Sequence, residues 1–274
     1  MRGIAAGGFL KVLSEMKMLD SFDTLHGSSS GACAAAFFLT GQFDQGWKVF
    51  YEDISTRKVV NPWRFFSQPC MVDTDFIVDE IIGKKRQLDT ETIISEPGVL
   101  KIVTTSVESG LAVSHSNFQS GEQILRALKA TLRVPGPFER GIEIDGIGHI
   151  DGGIAAPIPL FSAVGSGATH ILIVHTQRIG DYDNSKARFF IEGAVLHLLY
   201  GRKIRNTYVA AQINAKEKKA DFMVQPPVTD RLIRPIGATA CGWSTIDKTE
   251  LRKVEDEAVL GARRYLDKAH AGAA

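Results

Sequence analysis

The sequence has few cysteines and no excess of charge of either sign. Its 274 residues include three cysteines, at positions 33, 70 and 241. Three scattered cysteines supply neither a disulfide framework nor a zinc cluster, so we expect no metal site. Cys33 lies inside an apolar run and is predicted to be buried. The 32 Lys and Arg residues balance 31 Asp and Glu residues, which leaves a net charge of +1. No global field therefore attracts nucleic acid, and we expect no nucleic-acid partner.

Long apolar runs, repeats and linkers are also missing. No stretch of about 18 uncharged apolar residues is present, so no helix is expected to span a membrane. No cleavage site follows the first residues, which favours a cytoplasmic protein whose membrane contact, if any, is peripheral. The hydrophobic share of 44% and charged share of 23% are typical of a globular chain with a sizeable core. We therefore predict a single domain over residues 1–274.

Apolar periodicity predicts strands that alternate with helices. Helices are expected over residues 8–19, 32–40, 73–82, from Ser120 to about 135, and 248–269. Strands are expected over residues 22–25, 100–107 and 171–174, with a type I′ hairpin around Asp145-Gly146. Such alternation indicates an α/β fold whose sheet is covered on both faces.

The segment Gly27-Ser28-Ser29-Ser30-Gly31 has the G-x-S-x-G spacing of a nucleophile elbow. In that turn a strand bends sharply into a helix, and the serine lies at the helix N-terminus, where negative charge is favoured. We expect both Gly27 and Gly31 to be required, because a Cβ at either position would collide with the neighbouring strand or helix. The alternative is a Ser/Gly turn without a catalytic role.

A partner that activates Ser29 is harder to identify. Only 26 residues precede Gly27, too few for the several strands that come before the elbow of an ordinary α/β-hydrolase. His170, His175 and His197 remain candidate bases, and a Ser–His–Asp esterase that uses His175 stays open. The other candidate is Asp151, at the end of a predicted strand. A carboxylate can deprotonate serine if its pKa is raised or the oxyanion is well stabilised.

Taken together, these motifs resemble the patatin-like phospholipase family, in particular its bacterial members. The nucleophile motif and Asp151-Gly152-Gly153 occur in the family's order, and the resemblance covers roughly residues 2–180. Three further segments are similar to the family: Ala127 to Phe138 before the aspartate, Ile154 to Leu160 after it, and Asn61-Pro62-Trp63-Arg64.

The resemblance implies a three-layer α/β/α sandwich with a mostly parallel central sheet. It also implies hydrolysis of acyl esters in phospholipids or lysophospholipids by a Ser29–Asp151 dyad, with no cofactor. Arg2, Gly3 and Ser30 would then form the oxyanion hole. The family opens with G-G-G-x-R/K-G, of which only the Arg2-Gly3 end is present here. A catalytically weak or inactive lipid-binding member is therefore the alternative function.

A dense group of apolar side chains is followed by basic residues. The apolar residues are Phe189, Phe190, Val195, Leu196, Leu198, Leu199 and Tyr200, and the basic residues are Arg202, Lys203, Arg205, Lys216, Lys218 and Lys219. We expect the apolar residues to pack in the core and the basic ones to form a solvated face. The alternative is contact with an anionic membrane surface.

Overall fold

The computed structural model describes residues 3–56, 59, 72–136, 141–174, 186–216, 229–233 and 246–271. The strands are β1 (Leu25–Ser28), β2 (Leu100–Ser106), β3 (Ala112–His115), β4 (Ile142–Ile144), β5 (Ile147–Ile150), β6 (His170–Val174) and β7 (Thr229–Ile233). The α-helices are α1 (Gly3–Glu15), α2 (Ser30–Leu39), α3 (Phe43–Lys48), α4 (Thr90–Ser95), α5 (Gly121–Thr131), α6 (Leu160–Gly165), α7 (Lys186–Lys216) and α8 (Lys248–Ala271). Short 3-10 helices span Leu19–Ser21 and Gly152–Ile154, and π-helices span Val49–Asp53 and Phe76–Lys85.

The described strands form a five-stranded mixed sheet and a two-stranded parallel one. In the larger sheet β1 runs parallel to β2, while β3 and β5 both pair antiparallel with β2. Strand β4 pairs with β5 in the predicted hairpin, and β6 pairs parallel with β7. The α/β class is confirmed. Of the described pairings, three are antiparallel and two parallel, because the hairpin and β3 add antiparallel strands beside β2.

Helices cover both faces of the larger sheet. Successive side chains of a strand point to opposite faces, so His26 and Gly27 of β1 mark the two sides. On the Gly27 side, α2 approaches so closely that a Cβ on Gly27 would lie 2.3 Å from the Cα of Ala32. On the other side, Ser162 of α6 lies 2.9 Å from Nδ1 of His26. This is the layered arrangement that the sequence predicts.

The first two elements are displaced from their predicted positions. Helix α1 begins at Gly3 and ends at Glu15, not at residues 8 and 19, because its first turn is buried and Lys17 adopts a φ of 54°, which ends the helix. Strand β1 covers Leu25–Ser28 and not residues 22–25, because its ladder with β2 continues through Ser28. Phe22 precedes the strand and packs edge-on against Phe38.

Other local predictions agree with the structure. Asp145 and Gly146 have φ values of 52° and 79°, as a type I′ turn requires. Ser120 caps α5 through its side chain, although the helix ends at Thr131 and does not continue to residue 135. The predicted helix over 73–82 is helical from Thr74 onward and is π-wound over most of its length.

The C-terminal helix α8 packs along α1. The predicted inward face is buried at Leu251, Val254, Ala258 and Ala262 and half-buried at Tyr265. Ala262 and Leu266 share an apolar cluster with Phe9, Val12 and Leu13 of α1. The first and last described helices are therefore in direct contact. Across the described ranges, no helix is long and apolar enough to cross a membrane. Cys33 is buried as predicted, whereas Cys70 and Cys241 lie outside the described residues.

Candidate active site

Ser29 lies at the point where β1 turns into α2. It is the N-cap residue of α2, with φ 54° and ψ −132°, a backbone conformation in which non-glycine residues are uncommon. Strand, sharp turn and buried helix therefore follow in the predicted order. A positive φ at a non-glycine residue is a strained turn conformation, and as the N-cap residue Ser29 lies at the positive end of the α2 dipole.

The two glycines around Ser29 have unequal roles. A Cβ on Gly27 would lie 2.3 Å from the Cα and 2.6 Å from the N of Ala32, so only glycine allows β1 and α2 to approach this closely. A Cβ on Gly31 would meet no heavy atom within 4 Å. The expectation that both positions exclude a side chain is therefore correct for Gly27 and wrong for Gly31, whose Cα faces open space.

Asp151 follows β5 and reaches Ser29 across the sheet. The Oγ of Ser29 donates a hydrogen bond to Oδ2 of Asp151 at 2.9 Å, and the N–H of Gly153 donates to Oδ1 at 2.7 Å. Gly152 is required by sterics, because its Cβ would lie 2.0 Å from the carbonyl oxygen of Val103. Gly153 is less constrained, since its Cβ would meet only Oδ1 of Asp151, at 3.1 Å. Both carboxylate oxygens are thus held in fixed directions.

Burial raises the pKa of Asp151 to about 6. The hydrogen bonds from Gly153 and Ser29 favour the charged carboxylate and act in the opposite direction, but desolvation outweighs them. A pKa in this range suits a general base near neutral pH, because the group is ionised yet still basic enough to accept a proton.

The C-terminal end of α5 and the residues just after it accept hydrogen bonds from the backbone N–H groups of Ser29 and Asp151. The sequence patterns did not predict these contacts. The N–H of Ser29 donates to Oγ1 of Thr131 at 2.8 Å, and the hydroxyl of Thr131 donates to the carbonyl of Val103 at 2.5 Å. The N–H of Asp151 donates to the carbonyl of Arg133 at 2.9 Å. Thr131 is fully buried. Its place in the family-like segment before the proline loop was the available signal.

Thr131 is therefore expected to act as a positioning residue. Replacing Thr131 by Val keeps the shape but leaves the N–H of Ser29 without its acceptor, and small displacements of a reacting group cost about 10–100-fold in rate. We expect kcat for a soluble ester to fall by that factor with KM unchanged. Thr131→Ser keeps the hydroxyl and should restore most of kcat. A Thr131→Val protein with the wild-type kcat would contradict this role.

The residues predicted for the oxyanion hole are partly described. Helix α1 begins at Gly3 and α2 begins at Ser30, and a Cβ on Gly3 would lie 2.8 Å from the Cβ of Ser30. The two helix N-termini therefore meet beside Ser29. Arg2 lies outside the described residues.

The two described histidine candidates are exposed, and the third lies outside the described residues. Nδ1 of His170 lies 3.1 Å from Oγ1 of Thr169, His197 is exposed on α7, and His175 is not among the described residues. The family-like segment at residues 61–64 is also outside them. Within the described ranges, no group of three His, Cys, Asp or Glu side chains has the spacing to hold a metal ion.

Comparisons with known proteins agree with the α/β fold. Residues 1–164 match the family model described as patatin-like phospholipase. Over 176 residues the chain is 25% identical to the uncharacterized protein YjjU of Escherichia coli (strain K12). The matched region makes up 64% of this chain and 49% of that protein. The chain thus spans about half the length of this curated relative. The family match covers more than half of the chain and supports, in general terms, a lipid hydrolase. The chain belongs to the patatin-like phospholipase family.

Proposed function

We propose that this protein is a serine acyl hydrolase that cleaves fatty-acyl esters of phospholipids or lysophospholipids. The observation that carries the proposal is the 2.9 Å hydrogen bond between the Ser29 hydroxyl and the Asp151 carboxylate, formed between residues 122 positions apart. The raised pKa of Asp151 supports its role as the base. Family membership supports a lipid substrate.

In the proposed reaction Ser29 is the nucleophile. Its Oγ bonds to the ester carbonyl carbon while its proton passes to Oδ2 of Asp151. The tetrahedral intermediate then expels the alcohol, which takes that proton as it leaves, and an acyl-enzyme remains. Asp151 next accepts a proton from water as that water attacks the acyl carbon. Asp151 then returns the proton to Oγ of Ser29 as the fatty acid leaves. No cofactor takes part in these steps.

Backbone donors would stabilise the oxyanion. The N–H groups of Ser30 and Gly3, at the adjoining N-termini of α2 and α1, are proposed to serve, together with Arg2, which precedes Gly3 in the sequence. One such donor is worth about 10²–10³-fold in rate in acyl transfer. We propose that the chain acts as a single domain in the cytoplasm, on lipid presented at a membrane surface.

Covalent labelling tests the proposal. A fluorophosphonate probe should label the wild-type protein, and Ser29→Ala should abolish both labelling and turnover of a soluble acyl ester, with a loss of about 10⁴-fold or more. The neighbouring serine offers a matched control. The Ser28 hydroxyl is buried with no hydrogen-bond partner among the described residues, so Ser28→Ala should fold and label like the wild type. A folded wild-type protein that binds lipid but is never labelled would favour the non-catalytic alternative.

A further inference from the structure

The first half of α7 exposes an apolar surface. Side chains at positions 190, 191, 194, 197 and 198 are all exposed and, at about 100° per residue, fall within an arc of about 120°. Phe190, Ile191 and Leu198 are 73%, 62% and 84% exposed. The prediction that the apolar residues of this segment pack in the core is therefore wrong for Phe190 and Leu198. We call the surface formed by these five positions the outer face of α7.

The opposite side of α7 packs beside the candidate active site. Leu196 is buried in an apolar cluster with Ile150 and Ile154. Those two residues flank the turn that carries Asp151. The outer face therefore lies about one helix diameter, roughly 10 Å, from this turn.

Positive charge follows the outer face along the chain. After a kink at Gly201, α7 exposes Arg202, Lys203 and Arg205. Residues 193–216 contain no Asp or Glu. Two acidic residues are found beside this segment: Glu108, whose backbone carbonyl accepts from the ammonium group of Lys203, and Glu192 of α7, whose carboxylate accepts from the hydroxyl of Tyr208. Three exposed cations against these two carboxylates leave a positive balance.

We propose that the outer face of α7 and these three cations dock on the surface of an anionic lipid bilayer. Apolar side chains on one face of a helix enter the boundary between headgroups and acyl chains, and flanking cations bind anionic headgroups. Charge complementarity selects this partner over a second copy of the chain, whose own basic segment would be repelled. The inference rests on the proposed function in that the bilayer would supply the acyl ester near Asp151.

Vesicle sedimentation with the full-length protein tests the surface. The wild type should sediment with mixed phosphatidylcholine and phosphatidylglycerol vesicles, more weakly with phosphatidylcholine alone, and less as salt is added. Replacing Phe190 and Leu198 by Ser should weaken binding about tenfold or more. Replacing Arg202 and Arg205 by Gln should remove the preference for the anionic vesicles.

Matched substitutions on α8 serve as controls. Leu260 is 51% exposed and Lys253 is exposed, and Leu260→Ser and Lys253→Gln should bind vesicles like the wild type. Wild-type protein that ignores both vesicle types, or a Phe190/Leu198 variant that binds as well as the wild type, would overturn the proposal. So would a wild-type dimer that this variant converts to a monomer without any vesicle binding. Vesicle binding without hydrolysis of a soluble ester by the wild type would refute the proposed function and leave the docking surface standing.

Discussion

Replacing Asp151 by Asn is expected to abolish ester hydrolysis and to make the protein more stable at neutral pH. Asn keeps an oxygen for the N–H of Gly153 but cannot accept the proton of Ser29, so turnover should fall by about 10²–10⁴-fold. The gain in stability arises because a neutral amide avoids the cost of burying a carboxylate. Hydrolysis of a soluble ester and urea unfolding of both proteins measure the two effects.

The sign of the stability effect follows from the pKa of Asp151, which rises from 3.8 to about 6 on folding. Between these values the folded protein binds more protons than the unfolded chain, so the contribution of Asp151 to stability is lost as pH rises through this window. Above about pH 7 the full cost applies, on the order of 3 kcal/mol from about two pKa units.

The stability difference between Asp151→Asn and the wild type should therefore be small near pH 4 and largest above pH 7. In the wild type, kcat/KM should fall as pH drops below about 6, because the base becomes protonated. An Asn variant that is less stable than the wild type at pH 7.5 would contradict the assigned burial cost.

Gly27→Ala is expected to destabilise the protein strongly, whereas Gly31→Ala should not. The new Cβ at Gly27 would overlap backbone atoms of Ala32 and Gly31, which cannot rotate away, so β1 and α2 must separate. We expect a loss of about 3 kcal/mol or more in the free energy of unfolding. At Gly31 the Cβ enters open space within the first turn of α2, so stability should stay within about 1 kcal/mol of the wild type. Urea unfolding followed by circular dichroism compares the two.

The glycines after Asp151 form a second matched pair. A Cβ on Gly152 would overlap the carbonyl oxygen of Val103, whereas one on Gly153 would touch only a carboxylate oxygen that can shift slightly. Gly152→Ala should therefore lose several times more stability than Gly153→Ala. Equal losses within either pair would mean that chain flexibility, and not the close approach of two backbones, explains these glycines.

Local sequence patterns predicted most elements in the described part of the fold. The paired positive φ values of Asp145-Gly146, the Ser120 cap and the apolar stripe of α8 depend on neighbouring residues alone, and all three agree with the structure. Predictions failed where distant contacts set the outcome. Helix α1 starts five residues early because its first turn is buried, and β1 extends to Ser28 because β2 lies beside it.

In the candidate site, too, the sequence patterns predicted some features and missed those that depend on distant contacts. The family resemblance paired Asp151 with Ser29, whereas the G-x-S-x-G spacing selected Ser29 and predicted the strand–turn–helix around it. That spacing treated Gly27 and Gly31 as equivalent, since a five-residue motif does not reveal which glycine faces another backbone. It also missed Thr131: the family-like segment marked this part of the chain, but no local pattern shows which of its residues accepts the N–H of a residue 102 positions away.

The sequence by itself determined the α/β class and the order of its motifs, because these follow from composition and short-range periodicity. Only the tertiary structure decided that a hydroxyl on one loop meets a carboxylate on another, that burial raises the pKa of that carboxylate, and that α7 turns apolar side chains outward. Those properties depend on distance and on exclusion of water, and both arise only when segments far apart in the chain pack together.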